Sequence, residues 1–151
     1  MNALDYLKKE HVKAKSTFKE IEAAAPGGRG DMWLQLEGEL KIHEEIEQLH
    51  VYGPLARLNA AKGTKLEDWD RQHTEEVSAV KDVIKTMEGL DASTDAWLQN
   101  LKEVNSLLDE HIREEEQEIW PEIRKLWDED RLQEAGKKLE ETHSEKMRAT
   151  S

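Results

Sequence analysis

MWLQLEGELKIHEEIEQLHVYGP, running from Met32 to Pro54, decides how this chain is read. Leu36, Leu40, His43, Ile46 and Glu47 recur at helical spacing and so share one face of an α-helix. That face is apolar except for a histidine and a glutamate. Glu47 follows His43 by four residues, which places it about 40° around the helix and one turn further along. Asp31 stands where an N-cap is expected for a helix starting near Met32, and Gly53-Pro54 predicts a kink or an end after Val51, with helix resuming through Leu58.

The same grammar extends in both directions. Upstream, a helix is predicted from Asn2 to Ala25, stopped by Pro26-Gly27-Gly28-Arg29-Gly30, with Leu4, Leu7, His11, Ala14, Phe18 and Ile21 on its inner stripe. Downstream, Lys62-Gly63-Thr64 leads into a third helix from Leu66 to Met87, with Leu66, Trp69, His73, Val77, Val80, Ile84 and Met87 facing inward. Gly89 and Asp91-Ala92-Ser93 break it. Thr94 caps a fourth helix from Asp95 into the Pro121 region, whose stripe reads Trp97, Leu101, Val104, Leu108, His111, Glu115, Ile119. Pro121 should bend that helix, and Arg131 to Met147 forms a last polar helix or a frayed tail. Long helices with short connections predict an all-α fold, an antiparallel up-down-up-down four-helix bundle with a short C-terminal helix. The pattern also halves: His11, His43 to Glu47 and Pro54 mirror His73, His111 to Glu115 and Pro121.

The length of 151 residues fits one domain, 1–151, with the core bundle at about 1–127 and the polar helix at about 131–148. Asp and Glu total 34 against 22 Lys and Arg, a net charge of −12 that repels nucleic acid and anionic lipid. No apolar run approaches the ~20 residues of a membrane span, and the N-terminus lacks the apolar run of a signal peptide, so a soluble, cytoplasmic protein is expected. With no cysteine, disulfides, thiolate metal sites and cysteine nucleophiles are excluded. A metal would have to take imidazole and carboxylate ligands.

One histidine on an apolar face is ordinarily a core or boundary residue. Here four helices each place one in the middle of the inner stripe, and Glu47 and Glu115 stand beside two of them. No lysine or arginine lies on these stripes, and a buried carboxylate without a partner costs several kcal/mol. One or two cations would satisfy all six groups together. Six ligands exceed a tetrahedral zinc, whereas two octahedral irons offer about twelve positions and leave room for an exogenous ligand.

The ordered set His11, then His43-Glu44-Glu45-Ile46-Glu47 with Tyr52-Gly53-Pro54, then His73, then His111-Ile112-Arg113-Glu114-Glu115 with Trp120-Pro121, resembles the hemerythrin-like, or HHE cation-binding, domain. The resemblance covers residues 1 to about 127. It implies a four-helix bundle with two iron ions in an oxo- or hydroxo-bridged centre, with Glu47 and Glu115 as the bridges. The resemblance also implies a small-molecule ligand as the partner: dioxygen, peroxide or nitric oxide. One departure stands out: oxygen carriers have His-x-x-x-His on the third helix, and here Val77 follows His73 by four residues. Iron-sensing relatives carry His-Glu-x-x-Glu on the second helix, which His43-Glu44-x-x-Glu47 matches, so Glu44 is a candidate seventh ligand. A more anionic and more open site favours redox turnover of a small oxidant, including catalase-like peroxide breakdown, or iron sensing and storage, over reversible oxygen carriage.

Weaker signals remain. Glu47-x-x-His50 has the form used by ferritin-like di-metal bundles, but its only counterpart, Glu140-x-x-His143, falls on the polar C-terminal segment. His50 is therefore read as a boundary or supporting residue. Tyr6 and Tyr52 could donate hydrogen bonds near the site but, as aromatic residues at helix boundaries, are read like the five tryptophans as packing, and Glu114 and Glu116 as a solvated face around Glu115.

Overall fold

The computed structural model describes residues 1–150, and every regular element among them is helical. The helices are α1 (Ala3–Ala23), α2 (Arg29–Glu47), α3 (Gly53–Ala56), α4 (Lys65–Glu88), α5 (Asp95–Glu114), α6 (Trp120–Leu126) and α7 (Glu129–Thr150). Asn2 caps α1, accepting from the Asp5 amide at 2.8 Å, and Thr94 caps α5, accepting from the Trp97 amide at 3.2 Å. Asp31 does not cap α2 as the sequence suggested. A tight 3-10 turn at Pro26–Gly28 runs straight into the helix, so Arg29 and Gly30 are already helical and Asp31 sits in the first turn. There its negative charge still faces the free amides of the helix start.

The two predicted bends take a specific form. Gln48–Tyr52 and Glu115–Ile119 are π-helical turns, in which Gly53 N–H donates to the Gln48 carbonyl and Trp120 N–H to the Glu115 carbonyl, five residues back. A proline follows each, so the α ladder cannot continue and the wide turn absorbs the mismatch. At Gly53 an added Cβ would lie 2.7 Å from the Gln48 carbonyl oxygen, so a side chain here would force the backbone of this turn to shift.

Side-chain pairs fix how the helices run. Glu10 meets His43 and Phe18 meets Trp33 across α1 and α2; Lys15 meets Asp109 and Lys8 meets Glu116 across α1 and the α5 end. Gln72 meets Glu114 and Glu76 meets His111 across α4 and α5. In each pair of helices the numbers rise on one side as they fall on the other, so these neighbours are antiparallel.

The core forms two clusters with the polar residues between them. One gathers Leu4, Leu7, Ile46, Tyr52, Trp69, Ile119, Trp120 and Ile123; the other gathers Phe18, Ile21, Trp33, Leu36, Met87, Trp97, Leu101 and Val104. Helix α7 is not a frayed tail. It buries Leu132, Ala135, Gly136 and Leu139, spaced 3-1-3, and packs along α1 and α2 as part of the first cluster. Gly136 lets the chain start approach: a Cβ there would lie 2.2 Å from the Met1 carbonyl oxygen. No helix among the described residues is long and apolar enough to cross a membrane.

Candidate metal centre

Four imidazoles and two carboxylates meet in the layer between the clusters. His11, His43, Glu47 and Glu115 each bring one ligand atom within 4.8 Å of the others, and Glu47, His73 and His111 do the same. The two groups share Glu47. The rings pair accordingly, His11 with His43 at 5.1 Å and His73 with His111 at 5.0 Å between centroids. Each pair is backed by a tryptophan: Trp120 stacks on His11 at 5.5 Å and Trp69 on His111 at 5.2 Å. These indoles are core residues, as expected, and they also hold the imidazole planes.

Three outer carboxylates orient the histidines. Glu116 meets His11 Nδ1 at 2.7 Å, Glu10 meets His43 Nδ1 at 2.9 Å, and Glu76 pairs with His111 Nδ1. A carboxylate on Nδ1 keeps the proton there and turns the Nε2 lone pair inward, the usual arrangement behind a metal-bound imidazole. Glu116 thus differs from the solvated residue expected of the Glu114-Glu115-Glu116 run, because α1 brings His11 and Lys8 onto it. Glu10 and Glu76 carried no sequence signal.

The interior electrostatics are those of a site built for cations. Glu47 and Glu115 are 1% and 0% exposed and face each other. Burial, then the charge of Glu115, pushes the Glu47 carboxyl up. Burial opposes ionisation of Glu115 too, but the hydrogen bond from His11, the one from Glu47 and the His11 and His111 charges hold it well down. Burial pulls His43 and His111 down, yet the surrounding carboxylates win and raise both. Both His73 nitrogens are buried without a hydrogen-bond partner, and His11 Nε2, the Glu47 carboxylate and Glu115 Oε1, also buried, meet only one another and His43, at 3.1 Å for His11 Nε2–Glu115 Oε1 and 2.8 Å for His43 Nε2–Glu47 Oε2, with no well-aligned donor. Such orphans normally cost 1–3 kcal/mol each, and a bound cation would satisfy them. The donor set therefore fits a metal.

Glu44 lies outside both groups, with Oε1 3.7 Å from His73 Nε2 and its side chain about one-third exposed. His50 points away, its Nε2 2.8 Å from the Thr142 hydroxyl on α7, so it belongs to the α2–α7 boundary. Tyr52 reaches inward and its hydroxyl donates to Glu115 Oε2 at 2.8 Å. Burial, then the charges of Glu115 and Glu47, push this phenol well up, so it stays a proton donor. A cavity of about 910 Å³ opens on the side of the second cluster, lined by the four histidines and by Val77, Val80, Leu40 and Leu108.

Comparison with known proteins agrees with this arrangement. The chain is 29% identical to an uncharacterized hemerythrin-like protein of Schizosaccharomyces pombe, over 93% of this chain and 71% of that protein. It superposes with a TM-score of 0.83 on the crystal structure of a hemerythrin HHE cation-binding domain-containing protein of Mycobacterium kansasii, at 23% identity, covering 99% of this chain and 89% of that one. The sequence pattern of the hemerythrin HHE cation-binding domain matches residues 2–123, a span that holds the four histidines and two glutamates of the central layer, and the chain belongs to that family.

Proposed function

We propose that the protein holds two iron ions, one at each ligand group, and uses them on a small oxidant such as peroxide, dioxygen or nitric oxide. The observation that carries this reading is the sharing of Glu47 between two histidine pairs, a geometry suited to a carboxylate-bridged pair of ions. His11, His43 and Glu115 would hold one ion, His73 and His111 the other, with Glu47 between them. Glu44 would complete the second when its side chain turns inward. Iron so placed would supply one-electron redox chemistry and an exchangeable coordination position.

The chain's own groups prepare the rest. Glu10, Glu76 and Glu116 fix the imidazole tautomers. Tyr52 keeps its proton on Oη and donates it to Glu115. Val77, where an oxygen carrier has a fifth histidine, leaves an apolar wall open to the cavity. Small neutral oxidants can cross such a wall, and one-carboxylate-for-imidazole replacement favours oxidised iron over reversible oxygen carriage. A second reading, iron sensing or storage, rests on Glu44: about one-third exposed and 3.7 Å from His73, it is placed to bind and release with the ion.

The test is metal analysis with optical spectra of the purified protein, as isolated, after reduction and oxygen, and after peroxide. About two irons per chain and oxygen release from peroxide support the proposal. A single zinc with no iron uptake sinks it. Two irons with a long-lived reversible dioxygen adduct and no peroxide breakdown would make it a carrier.

A further inference from the structure

Outside the central layer, α1, α2 and α7 bring another imidazole against two carboxylates. His143 Nε2 lies 3.1 Å from Glu39 Oε2 and 3.7 Å from Glu10 Oε2, and the three ligand atoms all fall within 4.8 Å of one another. All three residues are half-buried. We propose that His143, Glu39 and Glu10 form a third cation site, for a first-row divalent ion such as zinc, manganese or ferrous iron, separate from the two central positions.

The spacing is what such an ion needs. With metal–ligand bonds of about 2.0–2.2 Å, neighbouring ligand atoms lie about 2.8–3.6 Å apart in octahedral or tetrahedral geometry; the two imidazole–carboxylate pairs here, at 3.1 and 3.7 Å, fall within that range or just outside it. The alternative, an imidazole acting only as a hydrogen-bond donor, satisfies less. Nε2 carries one proton and can donate it to one oxygen, which Glu39 at 3.1 Å takes and Glu10 at 3.7 Å does not. Negative charge gathers here: Tyr6, whose ring packs edge-on against His143 at 6.4 Å, feels the charges of Glu10, Glu140 and Glu39 together. Imidazole with two carboxylates suits zinc, manganese and iron, and three protein ligands leave a position for water, so binding is exchangeable.

This site depends on α7. The family pattern ends at residue 123, so His143 lies beyond it. Glu10 connects the two places, since its Oε1 meets His43 Nδ1 at 2.9 Å while its Oε2 faces His143. A cation on Oε2 would draw charge from the carboxylate that orients His43, so occupancy of the outer site is felt at the centre.

Equilibrium dialysis of the full chain against zinc alone, and separately against cobalt(II) with visible spectra, tests the site. The native protein should bind one more ion per chain than either His143→Gln or Glu39→Gln, whose central ligands are intact. Unchanged helical circular dichroism in at least one variant keeps the comparison valid. Equal ion counts in the native protein and a folded variant would overturn the proposal. Because the readout is a difference of one ion, it stands or falls separately from the number and identity of the central ions.

Discussion

The two ends of the bundle are packed differently. At the end closed by α7, Leu4, Leu7, Ile46, Leu55, Ile123 and Leu139 are 0–1% exposed. At the other end Phe18, Ile21 and Leu101 are as deeply buried, but Ala14, Leu40, Val80, Ile84 and Leu108 are only partly covered and the cavity lies among them. Both ends use the same apolar residue types at the same helical spacing. The difference is a fifth long helix: α7 seals one end against solvent, and no further element among the described residues seals the other. The four histidines and two buried glutamates between the clusters are thus anchored from a rigid floor while the opposite side stays accessible, an arrangement in which stability and access are assigned to different ends.

The largest expected effect falls on the seam between the ends. Glu47→Ala removes the one carboxylate common to both groups, and should take metal content from about two ions per chain to near none. His11→Ala should leave one ion bound at the His73–His111 side. Metal analysis after reconstitution reads both, and retention of two ions by Glu47→Ala would show that the groups do not share it.

Next comes the contrast itself. Leu139 is 0% exposed on α7, and Leu139→Ala should cost about 2–5 kcal/mol in denaturant unfolding of the metal-free protein. Leu40, partly covered at the cavity, should cost under about 1.5 kcal/mol when cut to Ala, because much of its surface already meets open space. Equal costs would mean that the open end closes in solution.

Much of this was legible in the sequence, and the limits have physical causes. His11, His43, His73, His111, Glu47 and Glu115 announce themselves because each interrupts an apolar stripe, and burial of the stripe follows from helical periodicity. Glu10, Glu76 and Glu116 sit among other acidic residues on faces that look solvated, and only the packing of a second helix brings a histidine onto each. Helix α7 reads as polar since its buried face is narrow, four residues in 22. A small contact surface that includes Gly136 lies beneath the noise of a chain that is 37% charged. The prolines foretold the bends, but a wide turn depends on backbone register that residue types do not encode.

A smaller effect concerns acid. The Glu76 carboxyl is held below its usual 4.5, first by the hydrogen bond from His111 and against some burial. A depressed carboxylate contributes stability above 4.5 and loses it as the pH falls through the lowered value. Glu76→Gln should therefore cost under about 1 kcal/mol at neutral pH, solvent screening included, and nothing in strong acid. Thermal melts of metal-free native and variant protein from pH 7 to 3 would show the gap closing; a gap that widened in acid would contradict the ion pair.

The smallest effect on stability should carry the most information about access. Val77 lies one turn beyond His73, is partly covered, and lines the cavity on the open side. Val77→His adds a polar ring where there is already space and solvent, so the unfolding free energy should change by under about 1 kcal/mol. The added imidazole would stand where an oxygen carrier supplies a fifth histidine, and would take the position left to an exogenous ligand at the His73–His111 side. Ion content should stay the same while oxygen release from peroxide falls several-fold at equal iron. If the variant turns over peroxide as fast as the native chain, the open end is not the route to the metal, and the packing difference between the two ends would have no part in the chemistry.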